Sequence, residues 1–485
     1  MGFGENYRPR TDHQSLGDAF FTKVEAAKFP KTLMRFRNER WSKALGLDRL
    51  TDTDWESHFG RFTPLPNNLP QPLALKYHGH QFHHYNPDLG DGRGFLFAQL
   101  EEPTTGRLLD FGTKGSGRTP FSRGGDGRLT LKGGVREILA SSYLEALGVN
   151  TSKGFSLIET DEALHRGDEP SPTRSAVLVR LGHSHIRFGT FQRLAAEQDT
   201  DSMMKLVLYC LKTYYADDIQ SQDLKSMSNL DVAGLLLSKV TQRTAKLVAQ
   251  WFAAGFVHGV LNTDNMNIAG ESFDYGPFRV LPTFEPGLTA AYFDSNGLYA
   301  FGRQPEAVAW NIERLAEALL TVGPANPEPV AQTETRGKFT QAMSCFGDVF
   351  QAELIALLLK KLWIMPSGDT ETDVKLIRAL LAHMQHAKVD FEGFFFDIAK
   401  LSNPSDIGLI DTATSPHWTE FSDLYSSYTR VERSEAAKAY FNREKPVTLL
   451  YDDIENLWAK IDQHDDWTDF QAKCDDIDLL RQAFA

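Results

Sequence analysis

Three side chains within a short polar stretch carry the oxygen atoms that a magnesium ion prefers. They are Asp264, Asn265 and Asp274, in the sequence VHGVLNTDNMNIAGESFDYG that begins at Val257. Magnesium binds one or two carboxylates together with phosphate oxygens and water, so this set could hold the ion beside a bound nucleotide. If Asn265 and Asp274 hold the metal, Asp264 remains free to accept a proton from a hydroxyl group or to orient it. The alternative is an ordinary turn, for which Asp and Asn are common residues.

The spacing within this stretch is close to that of a protein-kinase catalytic loop. His258 and Asn265 have the separation of the outer residues in H-R-D-L-x-x-x-N, and DYG at residues 274–276 stands where kinases have D-F-G. The position of the kinase catalytic aspartate, however, is occupied by Val260. Asp264 is therefore the carboxylate of the loop that is placed to act on an acceptor hydroxyl.

Two glycine turns contain backbone that could approach phosphate groups closely. The sequence GDGRG, which begins at Gly90, lies between two strand-like segments, where Gly92 would leave backbone amides open and Arg93 would add positive charge. A plain hairpin turn explains the same pattern. The sequence GDGR recurs at residues 125–128, directly before a long helical segment. Because amides of loops and of helix starts both face anions, the recurrence favours anion binding.

Four further charged residues are candidates for holding a triphosphate. Lys114 ends an apolar strand, and Glu137 on the next helix is its candidate partner, as in the kinase Lys–Glu pair. Two separately solvated side chains are the alternative. Arg180 ends the strand SAVLVR, and Arg187 follows in HIRFG. An arginine in such an apolar context needs an anionic partner, which either a triphosphate or structural carboxylates could supply.

Composition predicts a soluble globular protein of the cytosol. The 485 residues are 41% hydrophobic and 24% charged, and the formal charge of −13 argues against non-specific binding to nucleic acid or to an anionic membrane. The three cysteines lie far apart, which disfavours a disulfide scaffold or a cysteine-built zinc site. No apolar run approaches membrane-spanning length. The histidines of KYHGHQFHH are interpreted as packing and hydrogen-bonding residues, since no H-E-x-x-H motif supports zinc.

The elements that must position these residues follow the order of an α+β fold. A strand hairpin over residues 89–115 precedes a helix over residues 130–148, with Gly148 as its C-terminal cap. The strands KGFSLIET and SAVLVRLG come next. The chain then becomes mainly helical, with one helix predicted over residues 238–255. We therefore predict a protein-kinase-like bilobal fold with an additional C-terminal helical region.

This prediction divides the chain into four parts. They are an N-terminal extension packed on the core (residues 1–75), an N-lobe with the nucleotide-binding loops (76–190), a C-lobe with the catalytic loop and DYG (191–330), and a C-terminal helical region (331–485).

Several long motifs, taken in order, resemble the selenoprotein O (YdiU) family of kinase-fold proteins. The matching segments run from about Tyr77 to Ala316 and include GHQF at 79–82, LGDGRG at 89–94, REILAS at 136–141, SHIRFGTF at 184–191, HGVLNTDNM at 258–266 and FEPG at 284–287. Because many motifs occur in one order, chance is a poor explanation for the resemblance.

The resemblance implies a protein adenylyltransferase, which binds ATP inverted relative to kinases and transfers AMP to Ser, Thr or Tyr hydroxyls. It implies Mg²⁺ as the cofactor, with Mn²⁺ as an alternative. Carried over to matching positions, Asp264 would be the base, and Asn265 and Asp274 would bind the metal. Lys114 would pair with Glu137. The residues that would contact ATP are Gly90, Gly92, Arg93, Lys114, Asp126, Gly127, Arg180, Arg187 and Asp274.

The chain departs from the family pattern at its C-terminal end, where the family's tail with a redox cysteine is not recognisable. Cys474 is interpreted as an isolated thiol, so we do not expect redox gating by a disulfide. The implied partners are ATP and protein substrates, acted on by a monomer in the cytoplasm, or in mitochondria for a eukaryotic source.

Two other classes of function stay open. A phosphotransferase could use the same residues, with attack on a different phosphorus atom of ATP. A pseudokinase scaffold could bind nucleotide without turnover. The complete set of Asp264, Asn265 and Asp274 disfavours the scaffold.

Overall fold

A nine-stranded antiparallel sheet organises the first part of the computed structural model, which describes residues 2–167, 169–220, 222–324, 328–412 and 415–484. The described strands are β1 (Pro9–Arg10), β2 (Phe21–Lys23), β3 (Leu33–Arg37), β4 (Leu73–Leu75), β5 (Gly79–Gln81), β6 (His84–Asn86), β7 (Leu96–Glu101), β8 (Leu108–Lys114), β9 (Leu129–Thr130), β10 (Lys153–Leu164), β11 (Thr173–Gly182), β12 (Phe256–Val257) and β13 (Arg279–Val280). The described helices are α1 (Glu39–Ala44), α2 (Asp52–Phe59), α3 (Leu131–Ala146), α4 (Phe188–Ala196), α5 (Thr200–Tyr214), α6 (Asn229–Ala253), α7 (Gln304–Leu319), α8 (Pro329–Met343), α9 (Phe346–Lys361), α10 (Thr370–Ala387), α11 (Phe391–Lys400), α12 (Trp418–Ser426), α13 (Glu435–Phe441), α14 (Tyr451–His464) and α15 (Thr468–Phe484).

The order of the strands places the predicted charged residues in the middle of the sheet. Along its main path the order is β2-β4-β7-β8-β11-β10-β3, with β1 paired to β7 and β9 paired to β11. The predicted hairpin is β7 with β8, and the two later predicted strands are β10 and β11, so both predictions are confirmed. Gly112 on β8 lies opposite Arg180 on β11, and Lys114 is two residues further along β8. Lys114 and Arg180 therefore lie on the same face of the sheet.

Helices cover both faces of this sheet. Successive residues of a strand point to opposite faces, so Leu178 packs in the core that contains α3, whereas Val177 packs in the core that contains α1 and α2. Phe155 on β10 and Trp55 on α2 have ring centroids 4.9 Å apart in the second of these cores. Burial on both faces explains why residues 176–179 of this strand, AVLV, form a continuous apolar run.

Residues 1–75 contribute strands to the sheet in addition to packing against it. β2 and β3 form the two ends of its main path, and β1 pairs with β7. These strands have two to five residues, which is too short for an alternating pattern to identify them.

The helix α3 begins and ends where its sequence predicts. The Thr130 side chain accepts a hydrogen bond from the N–H of Gly133 and caps the first turn. Gly148, just beyond the end of the helix, has a φ of +82°, a left-handed conformation that glycine adopts without strain. Val135, Ile138 and their neighbours bury one face of the helix.

The chain after β11 is mainly helical, as predicted. The helices α4 to α7 share the α3 core with α13, α14 and α15, and the helices α9 to α12 enclose a second core around Leu358, Leu380 and Phe421. The helix predicted over residues 238–255 begins earlier than expected, at Asn229, because the Ser228 side chain caps it by accepting a hydrogen bond from the N–H of Asp231.

One helical stretch has the length and composition of a membrane span, contrary to the expectation that no apolar run reaches that length. It is Pro329–Lys361, whose most apolar window has a mean hydropathy of 1.5 and is 17% buried. The stretch comprises α8 and α9, separated by a turn at residues 344–345. A single segment of this kind is weak evidence for a membrane, because helices of soluble proteins have the same composition. Cys210, Cys345 and Cys474 are free, as the sequence predicts.

Candidate active site

A narrow cleft between the sheet and the 258–276 stretch is lined by half of the predicted site residues. It encloses about 70 Å³. The sequence-predicted residues that line it are Gly92, Arg93, Lys114, Arg180, Arg187 and Asp274. The turn at Gly92 needs a glycine, because a Cβ at that position would lie 2.8 Å from the carbonyl oxygen of Phe121. The cleft therefore brings together a glycine turn, four cationic side chains and a carboxylate.

Lys114 is held between two carboxylates at one wall of the cleft. Its Nζ forms an ion pair with Glu137 on α3 and lies 2.6 Å from Oδ1 of Asp274. Arg180 joins the same group, with Nη1 at 3.5 Å from Glu137 and 3.4 Å from Asp274. The structure thus places Lys114 beside Glu137, as the sequence predicts, and adds Arg180 to the pair.

Asp274 is fixed in an uncommon backbone conformation and stays ionised. Its φ is +66°, in the left-handed region that Asp tolerates better than most residues. Burial opposes ionisation of this carboxylate, but Lys114, Arg180 and Arg187 hold its pKa well below the usual value. Asp274 is therefore a permanently charged group in the cleft at neutral pH.

Arg187 connects the cleft to the loop that contains Asp264. Its guanidinium lies between two aromatic rings, 4.5 Å from the centroid of Tyr77 and 4.8 Å from that of Phe273. Nη1 donates a 2.7 Å hydrogen bond to the backbone carbonyl of Asp264, and Nη2 lies 3.5 Å from Oδ1 of Asp91. These contacts fix the guanidinium, and Nε stays without a partner among the described residues.

Asp264 lies on a single 3₁₀ turn, Thr263–Asn265, and is buried. Its Oδ1 has no hydrogen-bond partner in the described part of the chain, and its Oδ2 lies 3.5 Å from Nε2 of Gln81. Burial raises the pKa of this carboxyl to about 6, against the opposing charge of Arg187. A buried carboxylate with one unsatisfied oxygen is poised to accept a hydrogen bond or a proton.

The β5–β6 hairpin forms hydrogen bonds with the loop that contains Asp264. The backbone N–H of His80 donates to Oγ1 of Thr263 at 2.7 Å, and the N–H of Phe82 donates to Oδ1 of Asn262 at 3.1 Å. Gly79 allows this approach, because a Cβ there would lie 3.0 Å from Oγ1 of Thr263. The sequence GHQF, whose histidine was assigned only a packing and hydrogen-bonding role, thus packs against the loop that contains Asp264.

The proposed metal ligands provide few protein donors. Nδ2 of Asn265 donates to the carbonyl oxygen of Val260 at 3.0 Å, which fixes the orientation of the amide. Within the described ranges, no group of three or more His, Cys, Asp or Glu side chains could hold a metal. A site built on Asn265 and Asp274 would therefore complete its shell with phosphate oxygens and water, as Mg²⁺ commonly does. The residues present fit that ion in the company of a nucleotide.

Three predicted nucleotide contacts lie outside the cleft. Asp126 forms a 2.8 Å ion pair with Arg166 and borders a separate open groove, which is also lined by Arg118 and Arg128. Gly127 packs against the backbone of Gly117, where a Cβ would lie 2.3 Å from the carbonyl carbon. Gly90 packs against Phe121, with no room for a Cβ. The structure thus does not bring these residues to Lys114 and Arg180.

Sequence reasoning missed Tyr77, Asp91 and His185, which also line the cleft. Each lies beside a residue or motif that was identified: Asp91 is inside GDGRG, Tyr77 precedes GHQF, and His185 is inside SHIRFGTF. Their position in or next to these motifs was the available signal in the sequence. No rule on residue spacing, however, assigns a function to these three residues.

Comparisons with known proteins identify the family of this chain. Residues 4–478 match the family model described as "Protein adenylyltransferase SelO". Three relatives carry the description "Protein nucleotidyltransferase YdiU". The protein of Gloeobacter violaceus is 44% identical, covering 97% of this chain and 94% of its own. That of Trichormus variabilis is 42% identical, covering 96% and 94%, and that of Synechocystis sp. PCC 6803 is 41% identical, covering 94% and 95%. The chain belongs to the SelO family of protein adenylyltransferases.

Proposed function

We propose that this protein transfers AMP from ATP to Ser, Thr or Tyr hydroxyl groups of other proteins, with Mg²⁺ (or Mn²⁺) as cofactor and pyrophosphate as product. The family description and the names of the relatives support nucleotidyl transfer to proteins. We also propose that the sheet with α3 and the helical part that follows correspond to the two lobes of a kinase-like fold.

The observation that carries the proposal is the charge at the inner part of the cleft. Lys114, Arg180 and Arg187 lie there in largely buried positions. A nucleobase prefers an apolar pocket, and drug-sized ligands usually occupy about 300–1,000 Å³. The cleft encloses about 70 Å³, so it suits part of a triphosphate better than an adenine ring. Phosphates innermost would direct the α-phosphorus toward the opening.

The residues around the phosphates would act mainly by fixing them and offsetting their charge. Lys114 and Arg180 are already held by Glu137 and Asp274, so binding would need little rearrangement of these cations. Asn265 and Asp274 would hold the metal, which supplies further charge neutralisation when bound.

Asp264 would accept the proton of the acceptor hydroxyl. The hydroxyl oxygen then forms a bond to the α-phosphorus, the bond from that phosphorus to the bridging oxygen breaks, and pyrophosphate leaves with its electron pair. The unsatisfied Oδ1 of Asp264 is the atom that would take the proton. Arg187 would link the proposed base to the phosphates. It contacts the backbone of Asp264 and lines the inner part of the cleft, where the phosphates would bind.

Transfer of label from ATP tests this proposal. Purified protein, Mg²⁺ and a mixture of cellular proteins would be incubated with ATP labelled at either the α- or the γ-phosphorus, with an Asp264→Ala variant as control. We expect protein-bound label from the α position alone, and its loss in the variant. Label from the γ position would indicate a phosphotransferase, and label from neither position would favour the scaffold.

A further inference from the structure

A histidine that the proposed mechanism does not use lies at the wall of the cleft. His185 lines the cleft together with Arg180 and Arg187 and is 9% exposed. Its ring packs directly on Gly112, where a Cβ would lie 2.0 Å from Nε2. Gly112 is opposite Arg180 in the sheet, so Nε2 of His185 is on the face where Lys114 and Arg180 lie.

Asp110 lies beside Nδ1 of this imidazole ring. Asp110 is fully buried, and its Oδ2 accepts a 3.1 Å hydrogen bond from the backbone N–H of His185 and lies 3.5 Å from Nδ1. Its Oδ1 accepts a 2.6 Å hydrogen bond from Nε2 of Gln99. Both carboxylate oxygens are thus engaged, and the carboxylate lies beside Nδ1 of His185, which has no hydrogen-bond partner among the described residues.

The other nearby histidine does not compensate the charge of Asp110. His13 is buried, and both of its ring nitrogens lack hydrogen-bond partners among the described residues. Burial lowers the pKa of His13 to about 4, so it is neutral at physiological pH. A carboxylate beside an imidazole nitrogen favours one orientation of the ring.

We propose that His185, oriented by Asp110, contacts the terminal phosphates of ATP and the departing pyrophosphate. With Nδ1 toward Asp110, the ring has Nε2 to donate a hydrogen bond into the cleft, beside Arg180 and Arg187. His185 is thus a ligand for the leaving group, and Asp110 is the residue that positions it. This inference rests on the proposed function, because it requires the phosphates to lie innermost.

Two substitutions of His185 separate this role from simple packing. In H185N the new amide reaches the position of Nδ1 and can still face Asp110, but nothing replaces Nε2. In H185Q the longer side chain places an amide N–H near the position of Nε2. If His185 binds phosphate, H185N is the more damaging change. If the imidazole ring of His185 only contacts Asp110 and packs over Gly112, H185Q is the more damaging change.

The measurement is the affinity of the full-length protein for inorganic pyrophosphate, by titration calorimetry. A hydrogen bond to a charged group commonly contributes a factor of about 10–100 in affinity, so we expect H185N to weaken pyrophosphate binding by about that factor. H185Q should keep more affinity than H185N, and AMP binding should change little in both. Equal pyrophosphate affinity of H185N and the unsubstituted protein, or weaker binding by H185Q than by H185N, would overturn the proposal.

The variant D110N provides a second test that does not depend on the stability of H185N. We expect D110N to weaken pyrophosphate binding when His185 is present and to have little further effect in combination with H185Q. Equal effects of D110N in both backgrounds would show that Asp110 does not act through His185. Label transfer by the unsubstituted protein tests the proposed function separately. Failure of the proposed function is therefore distinguishable from failure of the role proposed for His185.

Discussion

At the scale of single residues, the cleft is a concentration of buried charge that is only partly balanced. Glu137 and Asp274 neutralise Lys114 and Arg180, and Arg187 has Asp91 at 3.5 Å. Arg93 adds a further positive charge. Taking a charge out of water is costly unless a partner compensates it, so an anion entering the cleft meets groups that already lack water. The arrangement favours a polyanion over a neutral ligand.

Asp274 should be essential for the effect of magnesium but not for the attraction of phosphate. In an Asp274→Ala variant, Lys114 and Arg180 lose a carboxylate partner, so binding of ATP without metal should be equal or stronger. The increase in ATP affinity caused by Mg²⁺ should disappear, and turnover should fall at least about 100-fold. Titration calorimetry with and without Mg²⁺ measures the first effect. An unchanged response to Mg²⁺ would show that Asp274 is not a metal ligand.

Gln81 should matter for turnover and not for nucleotide affinity. Its Nε2 is 3.5 Å from Oδ2 of Asp264, and its Oε1 accepts a 3.1 Å hydrogen bond from Asn86, which fixes the amide. We expect Gln81→Ala to lower kcat about 10-fold, since it removes a neighbour of the proposed base, while the KM for ATP stays unchanged. His84→Ala, at an exposed position of the same hairpin, is the control. A proportional rise in the KM for ATP would contradict this role.

The charged residues that the sequence predicted to be in contact lie on elements with a clear pattern. Lys114 at the end of a strand and Glu137 on an amphipathic helix were found in this way, and the structure places them in contact. His185 and Asp110 could not be found, because their proximity depends on how β8 and the segment after β11 pack. Asp126 and Gly127 were carried over from the family resemblance, and their contacts lie outside the cleft.

At the scale of elements, the position of α3 depends on helices from the opposite end of the chain. The helix α15 packs against α3, with Ile477 and Leu480 in the same apolar core as Val135 and Ile138. Lys132 on α3 also forms a 2.8 Å ion pair with Glu455 on α14. Because α3 carries Glu137, the C-terminal helices support the ion pair at the cleft.

Adjacent leucines on α15 offer a matched test of this support. Leu480 is 2% exposed and Leu479 is 46% exposed. Leu480→Ala should lower the free energy of unfolding by about 2–4 kcal/mol, because it leaves a cavity against α3, whereas Leu479→Ala should change it by less than about 0.5 kcal/mol. Thermal unfolding measures both. Equal destabilisation by the two variants would show that α15 is not held against α3 as described.

Elements with a strong periodic pattern of apolar residues were predicted well, whereas the short strands and the capped start of α6 were not. The hairpin β7–β8, the helix α3 and the strands β10 and β11 match their predictions. The start of α6 was placed too late, because the pattern of apolar residues is strongest after residue 238 while the cap at Ser228 is a single polar contact. The strands within residues 1–75 are set by pairing with distant strands, which local sequence does not report.

At the scale of the whole molecule, a buried carboxylate links the sheet to the 258–276 stretch. Glu271 is 1% exposed, and its oxygens lie 2.9 Å from the backbone N–H of His183, 3.0 Å from Nδ1 of the same residue and 3.6 Å from Nζ of Lys153. Burial opposes its ionisation, but Lys153 and His183 lower the pKa to about 2. Glu271 is therefore ionised in the folded protein across the physiological range.

This carboxylate should make stability depend on pH in the acid range. Because the pKa is about 2 in the folded protein and 4.5 in a model peptide, ionised Glu271 stabilises the fold above pH 4.5, and this contribution is lost as the pH falls toward 2. Its size at pH 7 is about 3 kcal/mol. Glu271→Gln should thus be less stable than the unsubstituted protein at pH 7 and closer to it at pH 3, by denaturant unfolding.

The control for this prediction is Glu435→Gln, since the side chain of Glu435 is 90% exposed and should contribute little at either pH. A stability difference for Glu271→Gln that stays constant between pH 7 and pH 3 would mean that the charge of Glu271 does not stabilise the fold.

For the whole molecule, we propose that ATP binds with its phosphates innermost. The most direct measurement is the crystal structure of the protein with Mg²⁺ and an ATP analogue that has a non-cleavable bond between the α- and β-phosphates. We predict the terminal phosphate within hydrogen-bond distance of Arg180 and Arg187, and the α-phosphorus nearest Asp264. An adenine ring against Arg180 and His185, with the γ-phosphate at the opening, would contradict the claim and favour phosphate transfer.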